Sequence, residues 1–198
     1  MKIGMYGGSF NPPHNGHLHL ACEVGSLAGL DKIIIIPSNI SPQKSNNGNI
    51  DPMHRINMCK EVFDSPLFEV SDCEIARGGK SFTVDTLTFL KEKYPEAELY
   101  LFMGSDMLLS FHTWHRYKDI LEMCTICAIA RENEKNADVL KKYADSMLAD
   151  GNVFVFDIEP IEVSSSEIRE KIKKGITCKG LISEKTEKYI KENNLYGK

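Results

Sequence analysis

Short apolar runs alternate with amphipathic stretches along most of this chain, and their periods predict its elements. Lys2–Tyr6, Lys32–Ile36, Phe68–Ser71, Leu99–Met103, Thr125–Ala130 and Val153–Phe156 read as strands. The unbroken run IIII at 33–36 is β-branched and predicts a strand covered on both faces. Helical spacing marks His17–Leu27, Thr83–Tyr94 and Lys135–Leu148. Asp51–Phe63 follows the same spacing, with Asp51 as N-cap and Pro52 at the first helical position. SEIREKIKK opens with a capping box from Ser164 to Glu167, and the tail SEKTEKYIKENNLYG predicts a final helix ending near Asn194. This alternation predicts an α/β fold, a Rossmann-like doubly wound parallel sheet with right-handed crossovers. The polar segment SPQKSNNGNIDP at 41–52 reads as a mobile surface loop.

The 198 residues allow one domain with a sizeable core, taken as 1–198 with 157–198 as a C-terminal helical part. A formal net charge of −4 without a long basic run argues against binding nucleic acid by bulk electrostatics. An anionic ligand must instead be met by placed cations and backbone amides. No apolar stretch reaches the ~18 residues that span a membrane. MKIGMYGG lacks a signal peptide's apolar region, so the cytoplasm is the expected location. Cys124 and Cys127 form a CxxC, but inside ILEMCTICAIA, a run that reads as a buried strand. A redox pair sits at a helix N-terminus and a zinc site needs two further ligands, so core thiols are expected and a redox protein is the rival.

Ligands of such sheets bind beyond the carboxyl ends of the strands. GGSFNPPHNGH at 7–17, PSNISPQK at 37–44, GSDM at 104–107 and VSSSEIR at 163–169 all follow strands and are expected to rim one crevice. Gly7 and Gly8 permit a sharp turn and a close approach, with the amides of Ser9 or Phe10 turned to phosphate oxygens. Neither a Walker A loop nor GxGxxG is present. His14 and His17 converge on one side of a helix entrance, and Gly16 between them leaves room for a phosphate at the helix N-terminus. Imidazole donates a directed hydrogen bond and can carry positive charge as negative charge develops. A metal site and helix-capping histidines are the rival readings; His19 falls off the pair's face and reads as structural. Three hydroxyls at Ser164–Ser166, with Arg169 one turn on, make a polyphosphate site as well as a cap. Taken alone, Lys44 reads as a solvated lysine and Trp114 as core. Asp106 reads either as a ligand group or as the cap of a helix starting at Met107, and Asp85 as a structural first-turn acid.

GGSFNPPHNGH and SSSEIR, in this order, resemble the HxGH nucleotidyltransferases, which transfer a nucleotidyl group from a nucleoside triphosphate and release pyrophosphate. Class I aminoacyl-tRNA synthetases share the histidine motif but are much longer and carry a lysine-rich loop that is missing here. From end to end the chain is similar to the bacterial nicotinate-nucleotide adenylyltransferases, through PQK at 42–44, HRINM at 54–58, SFTVDTL at 81–87, GSDM, Trp114-His115, AR at 130–131 and YIKENNLYG. It departs from their pattern at Asn11, Gln43 and Phe82, where Asp, His and Tyr are usual.

The resemblance implies a fold of the nucleotidyltransferase type and adenylyl transfer from ATP to nicotinate mononucleotide, giving deamido-NAD and pyrophosphate in NAD biosynthesis. It implies a catalytic set of His14, His17, Lys44 and Arg169, with His17 nearest the α-phosphate. Gly8, Ser9, Phe10 and Gly104 would line the nucleotide, Asp106 would bind a ribose hydroxyl, and Ser165 and Arg169 would hold the adenylyl and pyrophosphate portions. Thr83, Trp114 and His115 would form the nicotinate pocket. Mg²⁺ would arrive with ATP, without a dedicated protein site. ATP and nicotinate mononucleotide would be the partners, with no nucleic acid or membrane, and homo-oligomerisation is left open. The alternatives are transfer to nicotinamide mononucleotide or another small phosphorylated acceptor, and a non-catalytic nucleotide sensor on the same fold.

Overall fold

The β-branched run forms β2 (Lys32–Pro37), which pairs in parallel with β1 (Lys2–Gly8) on one edge and β3 (Phe68–Val70) on the other. β1 pairs on its far edge with β4 (Glu98–Gly104), followed outward by β5 (Cys124–Ala130) and β6 (Val153–Asp157). The computed structural model describes residues 1–42, 50–130, 133–147 and 152–197, and its sheet has the order β3-β2-β1-β4-β5-β6. This is the doubly wound α/β arrangement the alternation predicts. Strand order reverses between β1 and β4, the position beyond whose carboxyl ends sheets of this kind bind ligands.

Side chains alternate across β2, so Ile33 and Ile35 enter one core while Ile34 and Ile36 enter the other. α1 (Asn15–Leu27) and α2 (Pro52–Val62) cover the first face with Leu20, Val24, Cys59 and Val62. α4 (Thr83–Lys93), α5 (Ser105–Leu109), α6 (Tyr117–Met123) and α7 (Asn133–Met147) cover the second with Leu87, Leu108, Ile120 and Leu140. α8 (Ser165–Lys173) and α9 (Glu184–Glu192) build a smaller core, in which Ile168, Cys178, Ile182 and Ile190 gather with Met58 of α2. Asp51 caps α2 as predicted, accepting from the Met53 N–H at 2.8 Å. Among the described residues no helix is long and apolar enough to cross a membrane.

Three short elements depart from the expectation. ILEMCTICAIA is not one strand: Ile120–Met123 closes α6 and the strand begins at Cys124. Arg116, in the left-handed region at φ 55°, starts that helix, and its single buried residue, Ile120, gives too short a pattern to separate from the strand beyond. Asp106 does not cap a helix at Met107; α5 starts at Ser105, and Asp106 lies in its first turn without a capping bond. α3 (Cys73–Arg77) is a five-residue helix with no apolar period to betray it. Cys124 and Cys127 enter opposite cores, and burial pushes both thiols up to about 12, so they are protonated core residues.

Candidate active site

β1 runs on through Gly8, so the two glycines extend the strand and do not make the turn expected of them. The chain turns at Phe10, whose φ of 46° lies in the left-handed region, and at the cis Asn11–Pro12 bond. Gly7 is exposed with nothing within 4 Å of a Cβ, which leaves its backbone open to a ligand. A Cβ on Gly8 would lie 2.9 Å from the Phe10 ring. Glycine is needed there because Phe10 folds back into the core, where its ring meets Tyr6, His17 and Phe63 edge to face.

His14 is the N-cap of α1, and its ring lies over that of His17 with centroids 3.6 Å apart. The two imidazoles do converge. The backbone N–H of His14 donates to His17 Nδ1 at 3.2 Å. A neutral imidazole that accepts at Nδ1 carries its proton on Nε2, so His17 presents a donor nitrogen on a half-buried ring. Gly16 serves a purpose other than room for phosphate. A Cβ there would lie 3.0 Å from Val163 Cγ1 and 3.1 Å from His14 Nδ1, so protein fills the space that glycine leaves. His19 bonds the Glu159 carbonyl through Nε2 at 2.9 Å and ties α1 to the segment before α8.

The SSSEIR motif meets this loop directly. Ser164 caps α8 by accepting from the Glu167 N–H at 3.1 Å. Ser165 Oγ donates to the Pro12 carbonyl at 2.8 Å, and Arg169 Nη1 donates to the Asn11 carbonyl at 2.7 Å. These partners are 153 and 158 positions apart in the chain, yet they form one wall. A second Arg169 nitrogen, Nη2, reaches Ser166 Oγ at 3.0 Å.

On the other flank a run of contacts leads from the Gly7–His17 loop to the aromatic residues. The Ser38 N–H donates to the Gly8 carbonyl at 2.8 Å, and the Asn39 N–H to Ser81 Oγ at 2.9 Å. Phe82, next to Ser81, lays its ring 4.6 Å from that of His115. Thr83 opens α4, where the first N–H groups have no partner within the helix. Trp114 packs half-buried against Phe111 at 5.3 Å, and its buried Nε1 has no hydrogen-bond partner among the described residues. Gly104 ends β4, and Asp106 is exposed just beyond it. Gln43, Lys44 and Arg131 lie outside the described residues.

Three residues that sequence reasoning does not single out hold this frame. Arg55, 1% exposed, donates Nη1 to the Ser9 carbonyl at 2.9 Å, and burial pulls its guanidinium below the usual arginine range. Tyr196 donates its hydroxyl to Asn11 Oδ1 at 2.5 Å. Glu74 is buried and accepts from Thr86 Oγ1 at 2.7 Å; desolvation raises its carboxyl above the ordinary range. Only Arg55 leaves a signal, as a charge on the apolar stripe Arg55–Met58–Cys59–Val62 of α2.

The profile of the cytidylyltransferase-like family matches residues 5–171. The chain is 37% identical over 196 residues to the nicotinate-nucleotide adenylyltransferase of Bacillus subtilis, covering 98% of each chain. Its fold is similar to that of the Plasmodium falciparum nicotinic acid mononucleotide adenylyltransferase solved in complex with NaAD, with a TM-score of 0.78 and 23% identity over 98% of this chain and 97% of that one. The same Plasmodium enzyme complexed with APC gives a TM-score of 0.76 at 24% identity, over 98% and 96%. The chain belongs to the cytidylyltransferase-like family and, within it, to the nicotinate-nucleotide adenylyltransferases.

Proposed function

We infer that this chain transfers the adenylyl group of ATP to nicotinate mononucleotide, releasing pyrophosphate and forming deamido-NAD. The observation that carries the reading is the contact of Ser165 and Arg169 with the Asn11–Pro12 turn, in a chain similar over its whole length to enzymes named for this reaction. The acceptor's 5′-phosphate oxygen is already ionised, so no side chain need act as a nucleophile. It attacks the α-phosphorus in line, the bond to the bridging oxygen breaks, and pyrophosphate leaves with the electron pair. What the protein supplies is alignment and charge stabilisation.

In this reading His17 offers its Nε2 proton to an α-phosphate oxygen, and His14 fixes that tautomer through its backbone N–H. Arg169 brings a guanidinium to the leaving pyrophosphate, and Lys44 adds a second cation. Ser165 holds the Pro12 carbonyl with its own proton, leaving its oxygen lone pairs and the amides of the α8 N-terminus toward the nucleotide. Gly8, Ser9, Phe10 and Gly104 line the nucleotide, and Asp106 takes a ribose hydroxyl. Thr83 and His115 meet the nicotinate carboxylate through backbone N–H groups while the Trp114 indole stacks on the pyridinium ring. Mg²⁺ enters as part of the ATP substrate.

Pyrophosphate release from ATP, measured with nicotinate mononucleotide and with nicotinamide mononucleotide, tests the reading. A higher kcat/KM for the acid is expected. Preference for the amide overturns the acceptor assignment, and no release with either returns the chain to a nucleotide sensor.

A further inference from the structure

Arg55 is the most deeply buried charged side chain among the described residues, and none of the ion pairs among them includes it. A guanidinium in that setting is costly unless its charge is used. Its Nη1 reaches the Ser9 carbonyl at 2.9 Å. A trans peptide unit is planar with its C=O and N–H antiparallel. Drawing the Ser9 oxygen toward Arg55 therefore turns the Phe10 N–H to the opposite side of the loop. Two further carbonyls of this loop are held by side chains, that of Asn11 by Arg169 and that of Pro12 by Ser165. The nitrogens that follow them belong to Pro12 and Pro13 and carry no proton. Of these three anchored peptide units, only the one gripped by Arg55 can aim an N–H outward. That unit also leads into Phe10, whose left-handed φ is rare for a residue with a side chain and must be held by its surroundings.

We propose that Arg55 is a positioning residue for adenylyl transfer, holding the Ser9 carbonyl inward so that the Phe10 N–H is presented to the triphosphate. This rests on the adenylyltransferase reading above. Its buried charge adds a fixed positive potential beneath the same loop, which favours an anionic ligand. Arg55 touches no substrate in this role; it acts through the Ser9–Phe10 peptide.

The test compares Arg55→Ala and Arg55→Lys with the native protein in the pyrophosphate assay, with melting temperatures recorded alongside. Arg55→Ala should lose about 10- to 100-fold in kcat, less than the about 10²- to 10³-fold cost of removing an oxyanion donor outright, while KM for nicotinate mononucleotide changes less than about threefold. Millimolar ethylguanidinium should restore a large part of the Arg55→Ala loss, and ethylammonium much less. Arg55→Lys, which keeps a donor, should fall between the two. Turnover of Arg55→Ala within twofold of native overturns the proposal, as does a loss that follows the melting temperature and resists ethylguanidinium. Should Arg55→Ala fail to fold, Arg55→Lys decides: partial activity in the folded protein supports the role, and full loss in the folded protein overturns it. Absence of pyrophosphate release from the native protein would instead sink the functional reading.

Discussion

His17→Ala removes the Nε2 donor together with two ring contacts and the acceptor of the His14 N–H. The ring is half-buried, stacks on His14 with centroids 3.6 Å apart and meets the Phe10 ring edge-on at 5.0 Å. Such ring pairs contribute about 0.5–1.5 kcal/mol each, so truncation should cost on the order of 1–3 kcal/mol of stability. Against a typical reserve of about 5–15 kcal/mol, the variant remains folded. Catalysis should suffer more. Loss of one preorganised donor to a developing oxyanion costs about 2.7–4 kcal/mol, or about 10²–10³ in kcat. Accepting the His14 N–H at Nδ1 is what keeps that donor on Nε2. His17→Asn, which can donate but is shorter, should recover part of the loss. Steady-state pyrophosphate release measures kcat and KM separately, with a thermal melt as the control for folding. Native-like kcat in folded His17→Ala, or a change confined to KM for ATP, would refute the assignment.

Two further substitutions test the frame around the histidines and the acceptor side. Gly16→Ala gains helix propensity of about 1 kcal/mol but places a Cβ against Val163 and the His14 ring; kcat should drop, and Val163→Ala in the same chain should restore part of it, whereas independent effects would refute the contact. Glu74 has its folded-state carboxyl raised by burial, so it favours the fold while protonated, and that contribution is lost as pH rises from the ordinary carboxylate range through the raised value. Glu74→Gln cannot ionise, so its melting temperature should improve relative to native as pH rises above the ordinary glutamate value of about 4; a difference that does not vary with pH contradicts the assignment.

Much of the frame was legible because it rests on short-range patterns. IIII at 33–36 has the composition of a doubly covered strand, and Asp51-Pro52 has the chemistry of a helix start; both folded so. ILEM failed because a two-turn helix with one buried residue leaves no period distinct from the strand that follows it. The glycines were legible as necessary but not for the right cause. Gly8 and Gly16 are demanded by Phe10, Val163 and His14, neighbours fixed only by tertiary packing. For the same reason Tyr196 could not be found: its partner Asn11 lies 185 positions away, and nothing local to the tail signals the contact. Motifs marked the candidate residues, while Arg55 and Tyr196, which bond the Ser9 carbonyl and the Asn11 side chain, became visible only with the fold.

A crystal structure with a non-hydrolysable ATP analogue tests the central claim most directly. The triphosphate should lie between the His17 ring and the Arg169 guanidinium, with an α-phosphate oxygen within about 3.2 Å of His17 Nε2. A triphosphate seated elsewhere, or one that leaves both side chains free of phosphate contact, would contradict the account.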